Sequence, residues 1–504
     1  MRIGPLRRAG RRIFGLQGDG RHGPWPELLI AASLVVLAVA FVNSVRDVQT
    51  YGGVDLRGRV TAARALLLGM DPYFYVWQPG MSEDLLDPCR GRELMSRGTV
   101  SPPVMCIYAL TARLPYRTIR WIWFGCDWLA LLATVLLLTR LSLQPDDLTR
   151  ALTVVCGFAF IGGSQIWRLH VERGQFYIYY SLLLALAFLY AGKKTPRGPW
   201  LAGLAIGVSA ALRPTLLVVA VPALLQRRWS VVAGAALGAA LVLGVTLPVT
   251  GLHAWNSFRQ NAADAEEAYL QRYFYLDPNC GIDPPDLLTQ IPGVACDQVP
   301  HTVEGMNCFE AWSPYLIQDY SFLGVSNQYL WIAHNLCGWK VGYPPGHDPR
   351  LQILRRAYVA ICAAVFLGLL LWRRRWSLSL LLLIGLYLSV LGDYMIVPTR
   401  GLYAEVHQIV VYALLGSYLL RPGVGWAGKT LGWIGIAWAL PLFVLGGLPY
   451  LTKVLISPLS DAGPYAALAF FLVALLYAVR VSGQGEGPFA GGEESDPVMT
   501  NLPS

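Results

Sequence analysis

Long apolar runs, separated by short basic segments, dominate the hydropathy pattern of this chain. An α-helix needs about 20 apolar residues to cross a bilayer, and runs near that length recur from end to end. We predict about twelve spans, at 27–46, 118–139, 149–167, 175–191, 199–212, 214–226, 229–250, 351–372, 376–397, 403–420, 429–448 and 463–482. The fifth and sixth spans are short and flank the sequence LRPT, which predicts a hairpin of half-length helices.

Two long segments, 47–117 and 251–350, interrupt the apolar runs. The second is rich in Tyr, Trp, Pro and Cys, and its stretch AWNSFRQNAADAEEAYLQRYFYL predicts a helix. In the first, apolar residues recur at helical spacing from Leu56, and Gly69 is a natural helix stop. This pattern predicts a short amphipathic helix lying in the membrane interface, with arginines that meet lipid phosphates.

Composition supports an all-α polytopic membrane protein. The 504 residues are 55% hydrophobic and 14% charged, whereas a soluble domain carries about 25% charged residues. We expect a basic cytoplasmic N-terminus at 1–26, one transmembrane domain at 27–482, and a disordered cytoplasmic tail at 483–504. The first apolar run follows the basic stretch MRIGPLRRAGRRIFG and is interpreted as a span, not as a cleaved signal peptide.

The positive charge of +9 lies mostly in short loops between spans, where it orients the chain, so no nucleic-acid partner is predicted. With the N-terminus inside, the sequences GKKTPRG, QRRW and WRRRW all fall on the cytoplasmic side. The two long segments then lie outside. We expect a bacterial inner-membrane protein whose active site faces the periplasm.

The cysteines fall into two groups. Cys126, Cys156 and Cys362 lie in spans and are predicted to be apolar packing residues, and Cys106 is similar. The others lie in or beside the outer loops, where an oxidising compartment permits at least one disulfide. They are Cys89, Cys280, Cys296, Cys308 and Cys337. Their pairing stays open.

Asp55 follows the first span directly, at the amino end of the predicted amphipathic helix. One interpretation is a helix N-cap. The other is a general base held at the membrane surface, where a lipid-linked substrate presents its head group. Asp71 precedes Pro72 and is predicted to form a turn.

Six segments, taken in order, carry a family resemblance over about residues 27–420. They are VDLRGRVTAARALLLGMDPYFY, SPPVMCIYALTARLPYRTIRWIW, RGQFYIYYSLLLALAFLYAGKK, PWLAGLAIGVSAALRPTLLVVAVPALLQRRW, GVSNQYLW and YAEVHQIVVYALL. Together they resemble glycosyltransferase family 87 of the GT-C class, which contains polyprenyl-phosphomannose-dependent α-mannosyltransferases of the bacterial envelope. The chain departs from the family at Arg213-Pro214, where members often have Lys-Pro, and at Gly174-Gln175-Phe176.

The resemblance implies a GT-C type bundle of about twelve transmembrane helices, with two large extracytoplasmic loops carrying interfacial helices. It implies transfer of a hexose, most often mannose, from a polyprenyl-phosphate donor to a hydroxyl of an envelope glycolipid or glycan. It also implies that Asp55 is the catalytic base and that basic residues at outer span ends contact the donor phosphate.

The candidate phosphate ligands are Arg213, His407, Arg173 and Arg400. Arg213 interrupts an apolar stretch, and a charge at that depth usually faces a cavity. Its alternative is a helix-breaking corner whose side chain reaches the surface. His407 has the alternative of a histidine bonded between helices. His170, Glu172 and Arg173 form one short cluster that suits either acid–base chemistry or a solvated turn.

Gln175, Asn327 and Gln328 are candidate sugar or acceptor contacts. No Asp-x-Asp triad or phosphate-binding glycine loop occurs, so neither a metal nor another cofactor is predicted. The predicted partners are the donor, the acceptor and membrane lipids. A lipid-linked sugar flippase or transporter would share the spans and the buried arginines, and a non-catalytic envelope scaffold is a third alternative. Neither alternative needs a lone acid at the membrane surface.

Overall fold

The fold is described from a computed structural model. The described residues are 12–17, 23–50, 53–75, 77, 80–86, 100–141, 146–193, 195–272, 349–372, 376–395, 402–420, 425–434 and 457–483. Every regular element in these ranges is a helix, and they contain no strand. The all-α prediction is confirmed for this part of the chain.

The labelled helices, in chain order, are α1 (Trp25–Thr50), α2 (Val54–Leu67), α3 (Pro102–Ala109), α4 (Tyr116–Thr139), α5 (Asp147–Val154), α6 (Gln165–Glu172), α7 (Tyr177–Ala191), α8 (Arg197–Leu212), α9 (Val221–Leu225), α10 (Trp229–Arg272), α11 (Pro349–Trp372), α12 (Leu378–Met395), α13 (Gln408–Leu419) and α14 (Ser457–Gly483). A π-helical segment, Val155–Ile161, continues α5. The 3₁₀ segments Pro214–Ala220 and Leu402–His407 precede α9 and α13.

Five helices among the described residues are long and apolar enough to cross a membrane, namely α1, α4, α10, α11 and α12. The bent pair formed by α5 and α6 makes a sixth if it counts as one span. On α1, Val35, Val39 and Val42 are more than half exposed, and such an apolar stripe suits contact with lipid. These helices indicate a membrane protein, and the number of twelve spans stays a prediction.

The two predicted half-length segments are present on either side of Arg213. The first is α8, with 16 residues. The second is the 3₁₀ segment Pro214–Ala220 followed by α9, which together run from Pro214 to Leu225. Arg213 ends α8 with an extended backbone, φ −138° and ψ 99°, and Pro214 begins the following 3₁₀ segment. A residue before proline is disfavoured in the helical region, which explains why the chain breaks here.

The predicted span at 149–167 is not one straight helix. Its two halves, α5 with its π extension and α6, meet at an angle of 61°. π-helical turns and glycines are common causes of such bends, and Gly162 and Gly163 lie at this break. A Cβ at Gly162 would lie 2.9 Å from Leu37 of α1, and one at Gly163 would lie 2.6 Å from Val36.

Helices α8 and α10 pack backbone against backbone. Each contributes two glycines four residues apart, Gly203 and Gly207 from α8 and Gly234 and Gly238 from α10. A Cβ at any of the four would lie 2.0–2.3 Å from a carbonyl oxygen of the other helix. Small residues at this spacing let membrane helices approach closely.

The predicted helix after Asp55 is α2, and Leu56, Val60 and Ala63 are buried in it as expected. The expectation that its arginines meet lipid phosphates is wrong. Arg57 and Arg59 are only 1% and 6% exposed, because α2 is covered on its polar side as well. The side chains that looked interfacial therefore lie inside the protein.

Arg64, also in α2, is engaged by protein as well. Its guanidinium donates to the carbonyl oxygens of Ala112, Asp84 and Leu114 at 2.8, 2.9 and 3.1 Å. It fixes the helix to the start of α4 and to the first long segment.

Asp71 forms the predicted turn, since its Oδ1 accepts from the backbone N–H groups of Tyr73 and Phe74. Its Oδ2 accepts from the Ser257 hydroxyl at 2.5 Å and lies 3.1 Å from His253 Nε2. The first long segment is thereby tied to the part of α10 that extends beyond the predicted span. This extension follows a kink at Gly251, whose φ of 65° and ψ of 169° are not helical, and it confirms the predicted helix in the second segment as far as Arg272.

The described part of the basic N-terminus packs against the start of α5 and against its π-helical extension. Phe14 is 5% exposed and contacts Phe158 edge to face at 6.4 Å between ring centroids. The Gln17 N–H donates to Asp147 at 2.6 Å. Residues 12–17 are therefore part of the fold.

Cys106, Cys126, Cys156 and Cys362 are free thiols. Of these, Cys362 is buried as predicted and Cys126 is exposed. The five cysteines of the predicted disulfide set lie outside the described residues.

Candidate active site

Asp55 lies in the first turn of α2, not at its N-cap. The N-cap is Gly53, whose φ of 68° and ψ of 64° are left-handed, and no side chain caps the helix. The Gly53 N–H donates to Glu172 Oε1 at 3.2 Å, and its carbonyl accepts from the Tyr116 hydroxyl at 3.2 Å. The start of α2 is thus held by α6 and α4, which leaves the Asp55 carboxylate available for another role.

Two side chains from the turn between α6 and α7 contact Asp55. The amide nitrogen of Gln175 donates to Asp55 Oδ2, and Arg173 lies 3.7 Å from the same oxygen. The side chains of Asp55 and Arg173 are each 23% exposed. The carboxylate therefore has a fixed orientation and still reaches solvent.

Gly174 allows this turn to approach α2. Its φ of 59° favours glycine, and a Cβ there would lie 2.9 Å from Leu56 Cβ. The neighbouring Gln175 N–H donates to the His170 carbonyl at 2.9 Å. The turn is therefore closed by its own backbone hydrogen bond and packs against Leu56.

Arg59 joins α2 to the same turn from the buried side. It donates to Gln175 Oε1 at 2.7 Å and to the Gly174 carbonyl at 2.9 Å. It also donates to the Tyr108 hydroxyl at 3.3 Å, and this hydroxyl donates to Gly174 O at 2.9 Å.

Burial lowers the pKa of the Arg59 guanidinium, but Tyr108 and Asp55 outweigh that effect and raise it above its ordinary value. Burial raises the pKa of Tyr108 to about 12. Arg59 thus stays charged and the Tyr108 phenol stays neutral at working pH, which keeps this network intact.

Aromatic rings continue the cluster away from Asp55. The Arg173 guanidinium lies 5.7 Å from the centre of the Tyr403 ring. The Tyr403 and Tyr177 rings are 5.8 Å apart, and Tyr177 stacks on His407 at 6.4 Å and 23°. His407 ends the 3₁₀ segment before α13, is 5% exposed, and packs against α7 through Tyr177.

Arg213 lies at the far end of this cluster. Its guanidinium lies 4.9 Å from the Tyr177 ring centre and 5.9 Å from that of Tyr180. Its NH2 donates to Asp393 Oδ2 at 2.7 Å, and its Nε donates to the Thr215 hydroxyl at 3.1 Å. Arg213, which was predicted to interrupt the apolar stretch, is therefore neutralised by the Asp393 carboxylate of α12.

The structure brings five of the eight sequence-predicted site residues into one cluster. They are Asp55, Arg173, Gln175, His407 and Arg213. The remaining three, Arg400, Asn327 and Gln328, lie outside the described residues. A carboxylate, two guanidinium groups, an imidazole and two phenols thus line one region, which suits proton abstraction next to an anionic group.

Sequence reasoning missed four members of this cluster, Arg59, Tyr177, Tyr403 and Asp393. Arg59 had a signal, since it stands four residues after Asp55 and shares its helix face. Asp393 had another, since it is an acid within an apolar span. The two tyrosines had none, because tyrosines are frequent in these segments.

Two other polar residues of α6 contact groups outside this arrangement. Arg168 pairs with Asp47 of α1 at 2.5 and 2.8 Å. His170 is fully buried, and its Nε2 accepts from the Ile178 N–H at 3.2 Å. The short cluster around it is therefore not a solvated turn.

Residues 100–277 match the model of glycosyltransferase family 87. This range includes Arg173, Gln175 and Arg213, while Asp55 precedes it. No curated protein and no solved structure matches the chain. The match confirms the resemblance predicted from the sequence, and by it the protein is a glycosyltransferase, similar over these residues to family 87.

Proposed function

We propose that the protein transfers a hexose, mannose first among the candidates, from a polyprenyl-phosphate donor to a hydroxyl of an envelope glycolipid or glycan. The transfer takes place at the periplasmic face of a bacterial inner membrane, in a GT-C type bundle. The observation that carries the proposal is the cluster of Asp55, Arg173, His407 and Arg213, which combines one partly exposed carboxylate with adjacent cationic and aromatic groups.

Asp55 acts as the general base. Both of its described contacts fall on Oδ2, so Oδ1 is the atom that takes the proton of the acceptor hydroxyl. The start of α2 fixes the depth of this carboxylate relative to α1. The donor's own lipid anchors its anomeric carbon close to the membrane. A base held at that depth therefore meets an acceptor hydroxyl beside this carbon.

The donor phosphate binds on the side of Arg173, His407 and Arg213, and Arg400 belongs to the same set. The leaving group is a lipid phosphate, and its developing charge is stabilised by donors that are already in place. Arg213 is held by Asp393 and by the Tyr177 ring. It therefore needs little reorganisation when the phosphate arrives.

Asp55 and Arg213, at opposite ends of the cluster, act on opposite sides of the sugar, so the displacement inverts the anomeric centre. A metal-bound Asp-x-Asp motif serves donors whose leaving group is a nucleotide. The leaving group here is a lipid phosphate and carries no nucleotide, so the reaction proceeds without a metal ion. Asn327 and Gln328 are the proposed contacts to sugar or acceptor hydroxyls.

The deciding experiment is incubation of the purified full-length protein with radiolabelled polyprenyl-phosphate sugars and an envelope lipid extract. Label in a new glycolipid is expected with one sugar, and the yield is unchanged by EDTA. Label that only crosses the bilayer of a proteoliposome would support a flippase and contradict the proposal. Absence of transfer with every donor would also contradict it.

A further inference from the structure

Gln175 was predicted to contact sugar or acceptor, but its surroundings suit another role. The residue is fully buried. Its Oε1 accepts from Arg59 at 2.7 Å, and its Nε2 donates to Asp55 Oδ2. Both ends of the amide are therefore engaged by the protein before any substrate arrives.

The chemistry of the two partners fixes which way the amide points. A guanidinium has only donors, so the atom that faces Arg59 must be the amide oxygen. An ionised carboxylate has only acceptors, so the atom that faces Asp55 must be the amide nitrogen. Flipping the amide would place its NH₂ group against the Arg59 guanidinium and its oxygen against the Asp55 carboxylate.

We propose that Arg59 and Gln175 form a positioning pair, in which Arg59 orients the Gln175 amide so that it holds the Asp55 carboxylate with Oδ1 turned toward the acceptor. The inference rests on the proposed role of Asp55 as base. It deepens that role by naming the residues that prepare the base, and it moves Gln175 from substrate contact to support of the base.

The backbone around the pair favours this role. Arg59 and its partner Tyr108 both bond the Gly174 carbonyl, so they hold the backbone on which Gln175 stands. Arg59 and Asp55 lie one helical turn apart on α2. The pair is thus fixed at one end by the helix that carries the base and at the other by the turn.

Several other charged or titratable groups surround Asp55. Arg173 lies 3.7 Å from it, and Glu172 lies 3.9 Å from Arg173. Tyr403 and Tyr108 are close enough to interact with it electrostatically. Arg120 approaches Gly53 at the start of the helix. A test of the pair must therefore leave these groups unchanged and alter only the amide or its orienting partner.

The test is the acid limb of the pH profile of kcat/KM, measured with the labelled donor and lipid extract. Gln175→Leu removes the donor that favours the ionised carboxylate, so the acid limb should move to higher pH by about one unit or more. Activity should recover as the pH rises. Arg59→Met should shift the limb in the same direction. Because Arg59 also acts on Asp55 through its own charge, the double variant should shift the limb further than Gln175→Leu alone but by less than the sum of the two single shifts.

Arg64→Met is the matched control. Arg64 stands on the same helix and also makes three hydrogen bonds to protein oxygens, but none of them leads to Asp55. Its loss should lower thermal stability and leave the acid limb in place. If Arg59→Met does not fold, Gln175→Leu decides the question by itself.

An acid limb at the wild-type position in Gln175→Leu would overturn the inference, whatever happens to kcat. This test of the positioning pair is independent of the test of Asp55 as the general base. Full activity in Asp55→Asn would refute the base itself, whereas an inactive Asp55→Asn with unmoved limbs in the pair variants refutes only the pair.

Discussion

The Arg213 guanidinium lies 2.7 Å from the Asp393 carboxylate, and this ion pair joins the break after α8 to the end of α12. Asp393 is 3% exposed in its side chain and Arg213 is 18% exposed. The carboxylate is thus enclosed, while the guanidinium keeps an accessible side. A buried carboxylate depends on its partner, so the two residues must be tested together.

Arg213→Met should raise the donor KM by about 10-fold to 100-fold, since a bond to a charged group is lost. It should also destabilise the fold, because removing one partner of a buried pair costs about 3–5 kcal/mol. Arg213→Met with Asp393→Asn should recover most of the stability and none of the donor affinity. Thermal unfolding in detergent and donor titrations measure the two effects.

Arg213→Lys keeps the charge and should be milder than Arg213→Met. If the double variant recovers the donor KM together with stability, Arg213 is a structural corner and binds no phosphate.

Asp55→Asn should slow turnover by about 10²–10⁴-fold, the usual range for general-base catalysis. Expression, thermal stability and donor KM should stay near wild type, because the amide keeps the size of the carboxylate. Gly53 already occupies the N-cap, so no helix cap is lost. Turnover within threefold of wild type would remove Asp55 from the mechanism.

Gly238→Ala should destabilise the protein, because the added Cβ would lie 2.3 Å from the Leu204 carbonyl oxygen. Overpacking of this kind costs about 1–3 kcal/mol. Gly244→Ala is the control on the same helix, since nothing lies within 4 Å of its Cβ position. It should be neutral or stabilising, because alanine is the better helix former. Equal melting temperatures for the two variants would contradict close packing of α8 on α10.

Reporter fusions at Gly91 and Gly305 should be active only as periplasmic reporters. The reason is the Lys and Arg bias of the opposite loops. Fusions after residue 194 and after residue 374 are the matched cytoplasmic controls. Cytoplasmic activity at Gly91 or Gly305 would place the candidate site on the other face of the membrane.

Periodicity predicted the helices well because the apolar runs and their breaks are local signals. Val54–Leu67 lies within the stretch that the spacing of Leu56, Val60 and Ala63 indicated. The Arg213 corner was equally visible, because Pro214 disfavours helix at the residue before it. The bend after Ile161 was not predicted, since it depends on a π-helical turn that hydropathy does not record.

The site was predictable only in part. Asp55 and Arg213 stood out because each is a charge in an apolar setting. The burial of Arg59 did not, because an arginine on an amphipathic helix usually faces solvent or lipid. Packing of α2 against α3 and against the turn at Gly174 turns that side of the helix inward. Likewise, no local pattern pairs Gln175 with a residue 120 positions earlier in the chain.

Helices α7 and α8 are shorter than the hydrocarbon core of a bilayer is thick. With 15 and 16 residues, they are about 23 Å long, against about 30 Å for the hydrocarbon core of a bilayer. Tyr177 begins α7 and Arg213 follows α8, so the two meet at the same end of the pair. If these helices span, the missing ~7 Å must be met by local thinning of the bilayer or by a water-filled recess. Thinning at this end would let a lipid-linked phosphate reach Arg213 while its hydrocarbon tail stays in the membrane.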